Sequence, residues 1–183
     1  SSLTLAADKV TFQLDWLPGG DKAPVYVGIQ EGIFEKAGLE VSIASGRGST
    51  DAVTKMATGQ SDVGTADIGA LLAARAQDDV PVSAVLAYFS QAPHAFFTIK
   101  GNGINSIKDV AGKKVATSPF TSSNLFLPLV LEENGLTEDS VTLVKTDPGA
   151  LGPMLMTGNV PVIIAWTTNV PLFEKQAAEA GKE

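Results

Sequence analysis

The sequence predicts a two-lobed α/β protein with mainly parallel sheets, and three observations carry that prediction. Short apolar runs alternate with helical patterns almost from end to end, the signature of βα units. Glycines stand where those helical patterns stop, at Gly38, Gly59, Gly135, Gly158 and Gly181, as helix C-caps favour. An internal echo sets Met56-Ala-Thr-Gly-Gln-Ser-Asp-Val63 against Leu155-Met-Thr-Gly-Asn-Val-Pro-Val162, each ending a helix at Thr-Gly and launching a strand at Val. That echo is either one supersecondary plan used twice or the ordinary look of a helix-Gly-strand junction.

The first strand is expected over residues 10–16, where a Pro-Gly-Gly turn stops it, and Pro24 suits the first turn of a helix over 23–37. A strand over 41–44 leads through a Gly-rich turn into a helix over 49–58, and a strand over 63–66 into a helix over 70–77. Residues 83–88 read as another strand, followed by one over 95–99 with no helix between. The intervening Tyr88-Phe-Ser-Gln-Ala-Pro-His94 is expected to connect the lobes, because Pro93 interrupts a ladder. Lobe one is then 1–90 and lobe two 91–183. In lobe two, strands over 114–117, 141–145 and 162–165 alternate with helices over 122–134, 149–157 and 170–180.

Composition narrows the function classes. A hydrophobic fraction of 44% with 18% charged residues is that of a globular protein, and no apolar run reaches the length of a membrane helix. The net charge of −7, with thirteen scattered basic residues, opposes nucleic-acid binding, which needs clustered Lys and Arg. With no cysteine and one histidine, disulfides, thiolate catalysis, His-rich metal sites and most triad chemistry are disfavoured. Residues 1–8 show neither the basic nor the apolar region of a signal peptide, so any such leader is expected to have been removed.

Candidate site residues gather where strands are expected to end, since parallel α/β sheets bind ligands at their carboxyl edges. In the first block Trp16, Asp21, Lys22 and Tyr26 stand there, with Trp16 either a stacking face or a cap on the core. The turn Ser45-Gly-Arg-Gly-Ser-Thr50 brings Ser49 and Thr50 to a helix start, as caps or as anion contacts, with Arg47 as a charge clamp. Asp67 either accepts a ligand hydrogen bond or caps its helix. In the second half Thr117-Ser-Pro-Phe-Thr-Ser-Ser-Asn124 presents Phe120, Thr121 and Ser122 at another helix start, and Trp166 closes a strand as an aromatic wall or a packing residue. No GxSxG elbow, paired His ligands or Gly-x-Gly-x-x-Gly fingerprint is present, and His94 reads as structural rather than catalytic.

Together these segments resemble the thiamine-precursor (NMT1/THI5-like) and sulfonate/nitrate-type solute-binding proteins of ABC importers. The resemblance rests on Phe12-Gln-Leu-Asp-Trp-Leu-Pro18, on Ala23 to Val41 with its Glu-Gly-Ile-Phe-Glu-Lys-Ala-Gly-Leu-Glu-Val run, on Gly59-Gln-Ser-Asp-Val63 and on Lys108-Asp-Val-Ala-Gly-Lys-Lys-Val115. It implies a periplasmic-binding-protein fold of type II: a periplasmic, non-catalytic receptor that closes on a small-molecule ligand and delivers it to a membrane permease, using no cofactor and no membrane insertion of its own. Carried over by position, the contacts would be Trp16, Tyr26, Ser49, Thr50, Asp67, Thr121, Ser122 and Trp166. The implied ligand is a small heteroaromatic of the pyrimidine-precursor kind, with a sulfonate, nitrate or other oxyanion on Arg47 and Lys22 as the alternative.

Three departures accompany the resemblance. Gly19-Gly-Asp-Lys22 replaces the Asn and His that pyrimidine-precursor binders often carry, and Pro161 stands where an acidic residue is usual, the counterpart of Asp62. Members of the family are also longer, so lobe one is expected to lack its C-terminal return. Two rival classes remain. Fungal relatives are pyrimidine-precursor synthases that use a cysteine-rich iron motif, and some transcription regulators carry a similar sensing domain after a helix-turn-helix segment.

Overall fold

A first strand paired on both sides organises the N-terminal half of the computed structural model, which describes residues 6–183. The beginning of the segment read above for leader character, residues 1–5, lies outside the described residues. Strand β1 (Asp8–Gln13) runs parallel to β2 (Leu39–Ala44) and to β3 (Val63–Gly64), giving a sheet of order β2-β1-β3. Helices α1 (Ala23–Gln30), α2 (Ile33–Lys36), α3 (Ser49–Ala57) and α4 (Ile68–Gln77) connect and follow these strands. Val53 of α3 packs with Ala70 and Leu71 of α4, and Val80 and Val82 close over them.

The second half repeats the plan with one reversal. Strands β4 (His94–Thr98), β5 (Lys114–Thr117), β6 (Thr142–Lys145) and β7 (Val162–Trp166) form a sheet of order β4-β7-β5-β6. Pairings of β5 with β6 and β7 are parallel, whereas β4 runs antiparallel to β7 with His94 opposite Trp166. Helices α5 (Ser123–Glu133), α6 (Leu151–Met156) and α7 (Val170–Glu179) complete it. Leu127 and Leu131 of α5 pack on Val115, Val162 and Ile164 of the sheet, a core whose central residues are essentially without solvent contact. By its internal contacts the chain divides into two compact units, Ser1–Tyr88 and Phe89–Glu183.

The repeated junctions share one geometry. Gly59 after α3 and Gly158 after α6 take φ of 72° and 77°, the left-handed conformation in which a side chain would be strained. The departure at the next position also has a physical reading. Asp62 accepts the backbone N–H of Thr11 at 2.7 Å, and at the matching place the carbonyl of Pro161 accepts the Thr98 hydroxyl at 2.9 Å. Each device ties the incoming strand to its neighbour, one through a side chain and one through the main chain.

Several expectations need correction. The helix expected over 23–37 is two, because Gly32 takes φ 65° between α1 and α2 and Phe34 folds back over Gly28, where a Cβ would collide with its ring. The strand expected over 10–16 ends at Gln13. Residues 149–157 are not one helix: a short 3-10 turn, Pro148–Ala150, precedes α6, with Asp147 Oδ1 accepting the Gly149 N–H. No ladder forms over 83–88 among the described residues, and Val85 and Leu86 are 86% and 81% exposed. An apolar pattern gives a segment a face, but a strand also needs a neighbour for its N–H and C=O groups. Here β3 ends the sheet with only two paired residues.

Candidate functional site

In the first unit the carboxyl ends of all three strands meet around a buried charge cluster. Lys22, 1% exposed, places its ammonium 2.6 Å from Asp15 Oδ1 and 2.8 Å from Asp21 Oδ2. Burial works against the ammonium, but the charges and hydrogen bonds of Asp15 and Asp21 outweigh it and hold the Lys22 pKa above its ordinary value. The Thr65 hydroxyl donates to Asp15 Oδ1 at 2.9 Å and accepts the Asp15 N–H at 3.3 Å, joining the β1 and β3 exits. Gly46 N–H donates to Trp16 carbonyl at 3.2 Å, joining the β2 exit to the same point. Tyr88 hydroxyl donates to Asp21 carbonyl at 2.6 Å and holds the end of this unit against the loop.

Each candidate residue of this unit has a defined place. Trp16 is buried, 4% exposed, and Tyr26 on α1 is exposed. Ser49 is not the cap of α3; that position is Gly48, and the buried Ser49 hydroxyl instead accepts the Asp67 N–H at 3.0 Å. Asp67 is the N-cap of α4, its Oδ1 accepting the Gly69 N–H at 2.7 Å, which is why the helix begins at Ile68 rather than Ala70. Thr50 is exposed. Arg47 pairs with Asp51 at 3.0 Å, so both cations named for an oxyanion, Lys22 and Arg47, already face carboxylates.

In the second unit the hydroxyl-rich segment before α5 folds onto the β4 and β7 ends. Thr117 hydroxyl donates to Asn124 Oδ1 at 2.9 Å, and Asn124 Nδ2 donates to Ser118 carbonyl at 2.8 Å, fixing the turn. Thr121 and Ser123 hydroxyls share a hydrogen bond of 3.1 Å, and Ser123 Oγ shares one of 2.9 Å with His94 Nδ1. Ser122 is the N-cap of α5, yet its hydroxyl does not cap the helix; it is buried and meets no hydrogen-bond partner among the described residues. Phe120 is half-buried and Trp166 is 3% exposed. The His94 ring lies 5.2 Å from Phe126 and 6.2 Å, edge-on, from Trp166.

His94 and Ser123 therefore belong to this cluster, although composition gave them no role. The reversal of β4 is what brings them in, since its first residue, not its last, reaches the carboxyl edge of the sheet. The signal available in the sequence was the isolation of a single histidine at the proposed crossing, which says nothing about strand direction. Among the described residues no group of acidic or histidine side chains is arranged to hold a metal ion, and no helix is long and apolar enough to cross a membrane.

Comparison with known proteins bears on the family and the fold of the chain. Residues 20–183 match the family model described as NMT1/THI5 like. The chain is 28% identical to a protein named for thiamine biosynthesis from Haemophilus influenzae, over 94% of this chain and 56% of that one. It is 29% identical, over 61% of its length and 32% of the relative's, to a 4-amino-5-hydroxymethyl-2-methylpyrimidine phosphate synthase of Schizosaccharomyces pombe. Among solved structures, the alkanesulfonate-binding protein SsuA of Xanthomonas axonopodis pv. citri, bound to MOPS, superposes with a TM-score of 0.71 at 16% identity, covering 98% of this chain and 60% of that one. The fold is that of type II periplasmic binding proteins, α/β with mostly parallel sheets. The chain spans between a third and three fifths of the length of these relatives.

Proposed function

Because this chain belongs to the NMT1/THI5-like family, we propose that it is the solute-binding component of an ABC importer, working outside the cytoplasm and passing a small heteroaromatic ligand to a membrane permease. The observation that carries the reading is the gathering of loop side chains at the ends of the parallel strands in each sheet, the place where α/β folds hold ligands. In this reading the candidate ligand contacts of the first unit are Trp16, Tyr26, Ser49, Thr50 and Asp67, and those of the second unit are Phe120, Thr121, Ser122 and Trp166. Trp16 and Trp166 are buried, so stacking on either requires its ring face to be uncovered.

Charge favours the heteroaromatic over the oxyanion. The cations named for a sulfonate or nitrate, Lys22 and Arg47, are engaged by Asp15, Asp21 and Asp51, which leaves N–H and hydroxyl donors to hold an anion. The synthase names among relatives support a second reading, that of an enzyme of pyrimidine formation. Against it, these residues contain no cysteine for the iron motif of the fungal enzymes.

A thermal-shift screen with 4-aminopyrimidine, riboflavin, methanesulfonate and nitrate tests the reading. A ligand of the folded state at a hundred times its Kd stabilises by about 2.7 kcal/mol. The aminopyrimidine is expected to raise Tm with no turnover of the ligand. No shift with any of the four would sink the receptor reading, and consumption of the pyrimidine would transfer support to the enzyme.

A further inference from the structure

Three asparagines of the second unit precede a small residue, in Asn102-Gly103, Asn105-Ser106 and Asn134-Gly135. A glycine has no Cβ to obstruct its own main-chain nitrogen, so that nitrogen can reach the side chain before it. The fold treats the three pairs differently. Gly135 N–H donates to the Glu132 carbonyl at 2.9 Å where α5 ends, and Asn134 Nδ2 donates to the Val130 carbonyl at 2.8 Å. Ser106 N–H donates to Asp109 Oδ2 at 2.8 Å. Gly103 N–H donates to no group among the described residues, and the space beside Gly103 is open. Asn102 is exposed, and its Oδ1 accepts the Ile104 N–H at 3.2 Å, closing a ring that contains both Asn102 Cγ and the Gly103 nitrogen.

We propose that Asn102 is a site of spontaneous modification by water, losing its amide through a cyclic imide with Gly103, and that the loss frees the turn over 99–103 from the ends of β4 and β7. The Gly103 nitrogen gives its proton to a solvent base and bonds to Asn102 Cγ, while the Cγ–Nδ2 bond breaks and the amide leaves as ammonia with a solvent proton. Water then adds its oxygen to one imide carbonyl, and the ring nitrogen regains a proton. Opening at Cγ gives aspartate and opening at the main-chain carbonyl gives isoaspartate, with nothing oxidised or reduced. The Ile104 N–H points at the oxygen that carries the charge when Cγ is attacked, which lowers that barrier. Asn102 Nδ2 donates to Thr98 Oγ1 at 2.5 Å and to the Pro161 carbonyl at 3.3 Å, and Thr98 ends β4 opposite Val162, the first residue of β7. A carboxylate has no proton for either acceptor, and the Thr98 hydroxyl already donates to Pro161, so both bonds leave with the ammonia. The site lies at the opposite end of this ladder from the His94–Trp166 pair.

Ageing the wild-type protein at physiological temperature in water enriched in heavy oxygen, followed by peptide mass mapping, tests the site without a variant. Asn102 is expected to exchange its amide for a labelled carboxylate roughly tenfold faster than Asn134, the rate equivalent of the hydrogen bond that holds the Gly135 nitrogen. In the guanidinium-unfolded chain the two Asn-Gly pairs are expected to react alike. Equal rates in the folded protein, or slower loss at Asn102, would overturn the site, and a contrast that persists on unfolding would overturn the part given to the fold. Asn102→Asp, one of the products, is expected to lower Tm by a few degrees, as loss of a hydrogen bond does. An unchanged Tm would overturn the release of the turn.

Discussion

The ammonium of Lys22 sits 2.6 Å from the carboxylate of Asp15, with both side chains almost wholly removed from water. A lysine nine residues after a strand end would ordinarily reach solvent. Here Asp21 closes the other side at 2.8 Å, and the three groups lock the loop that carries Trp16. A buried ion pair is costly to break from one side, because the remaining charge is left without compensation.

Lys22→Met is therefore expected to lower stability by about 3–5 kcal/mol, since two carboxylates would stay buried with no cation between them. Urea unfolding followed by far-UV circular dichroism measures it. A loss under about 1 kcal/mol would mean that water already screens the cluster.

The same cluster sets a pH dependence at the alkaline end. The Lys22 pKa is raised above its ordinary 10.5, so its contribution is complete below that pH and is lost as pH rises through the folded-state value. Stability of the wild type is expected to fall more steeply above that pH than stability of Lys22→Met, in parallel denaturation series. Parallel slopes would contradict the assignment.

Asp51 governs part of the acid limb. Burial pushes its pKa up, but hydrogen bonds from Lys55 and Arg47, then their charges, hold it below its ordinary 3.8. Its contribution is present above that value and disappears as pH falls through the lowered one. Asp51→Asn should cost about 0.5–1 kcal/mol at neutral pH, with the difference shrinking in high salt, because both partners reach solvent.

Gly46 gives a test of how the strand exits approach one another. A Cβ there would collide with the Leu14 carbonyl oxygen, so Gly46→Ala must push the β2 exit away from β1. A loss of about 1–3 kcal/mol is expected. Gly59→Ala is the comparison: nothing crowds that site, and its cost, about 1 kcal/mol, comes from φ alone. Equal losses at the two positions would argue against a steric origin at Gly46.

Much of the fold was legible because its signals are local. The glycines at 59 and 158 mark helix ends through a φ that other residues avoid, and Asp67 shows its capping role by preceding an apolar helix. The segment 83–88 misled for the converse reason. Its apolar residues match a strand, yet the deciding quantity is a partner edge that the segment does not itself contain.

The candidate site was legible only as positions. Ser49 reads as a helix cap from its neighbours, but its hydroxyl answers to Asp67, eighteen residues away. Likewise the turn before α5 was visible in its hydroxyls, while the reversed β4 that carries His94 to Ser123 was not.

By itself, then, the amino-acid order determined the alternation of strands and helices, the glycine-marked turns and the family, because periodicity and backbone preference act within a few residues. Tertiary structure alone decided that Lys22 is enclosed by carboxylates and that His94 joins the hydroxyls of Thr121 and Ser123. Those contacts depend on which strand ends the sheet order brings side by side, and charge and hydrogen bonding act across space rather than along the chain.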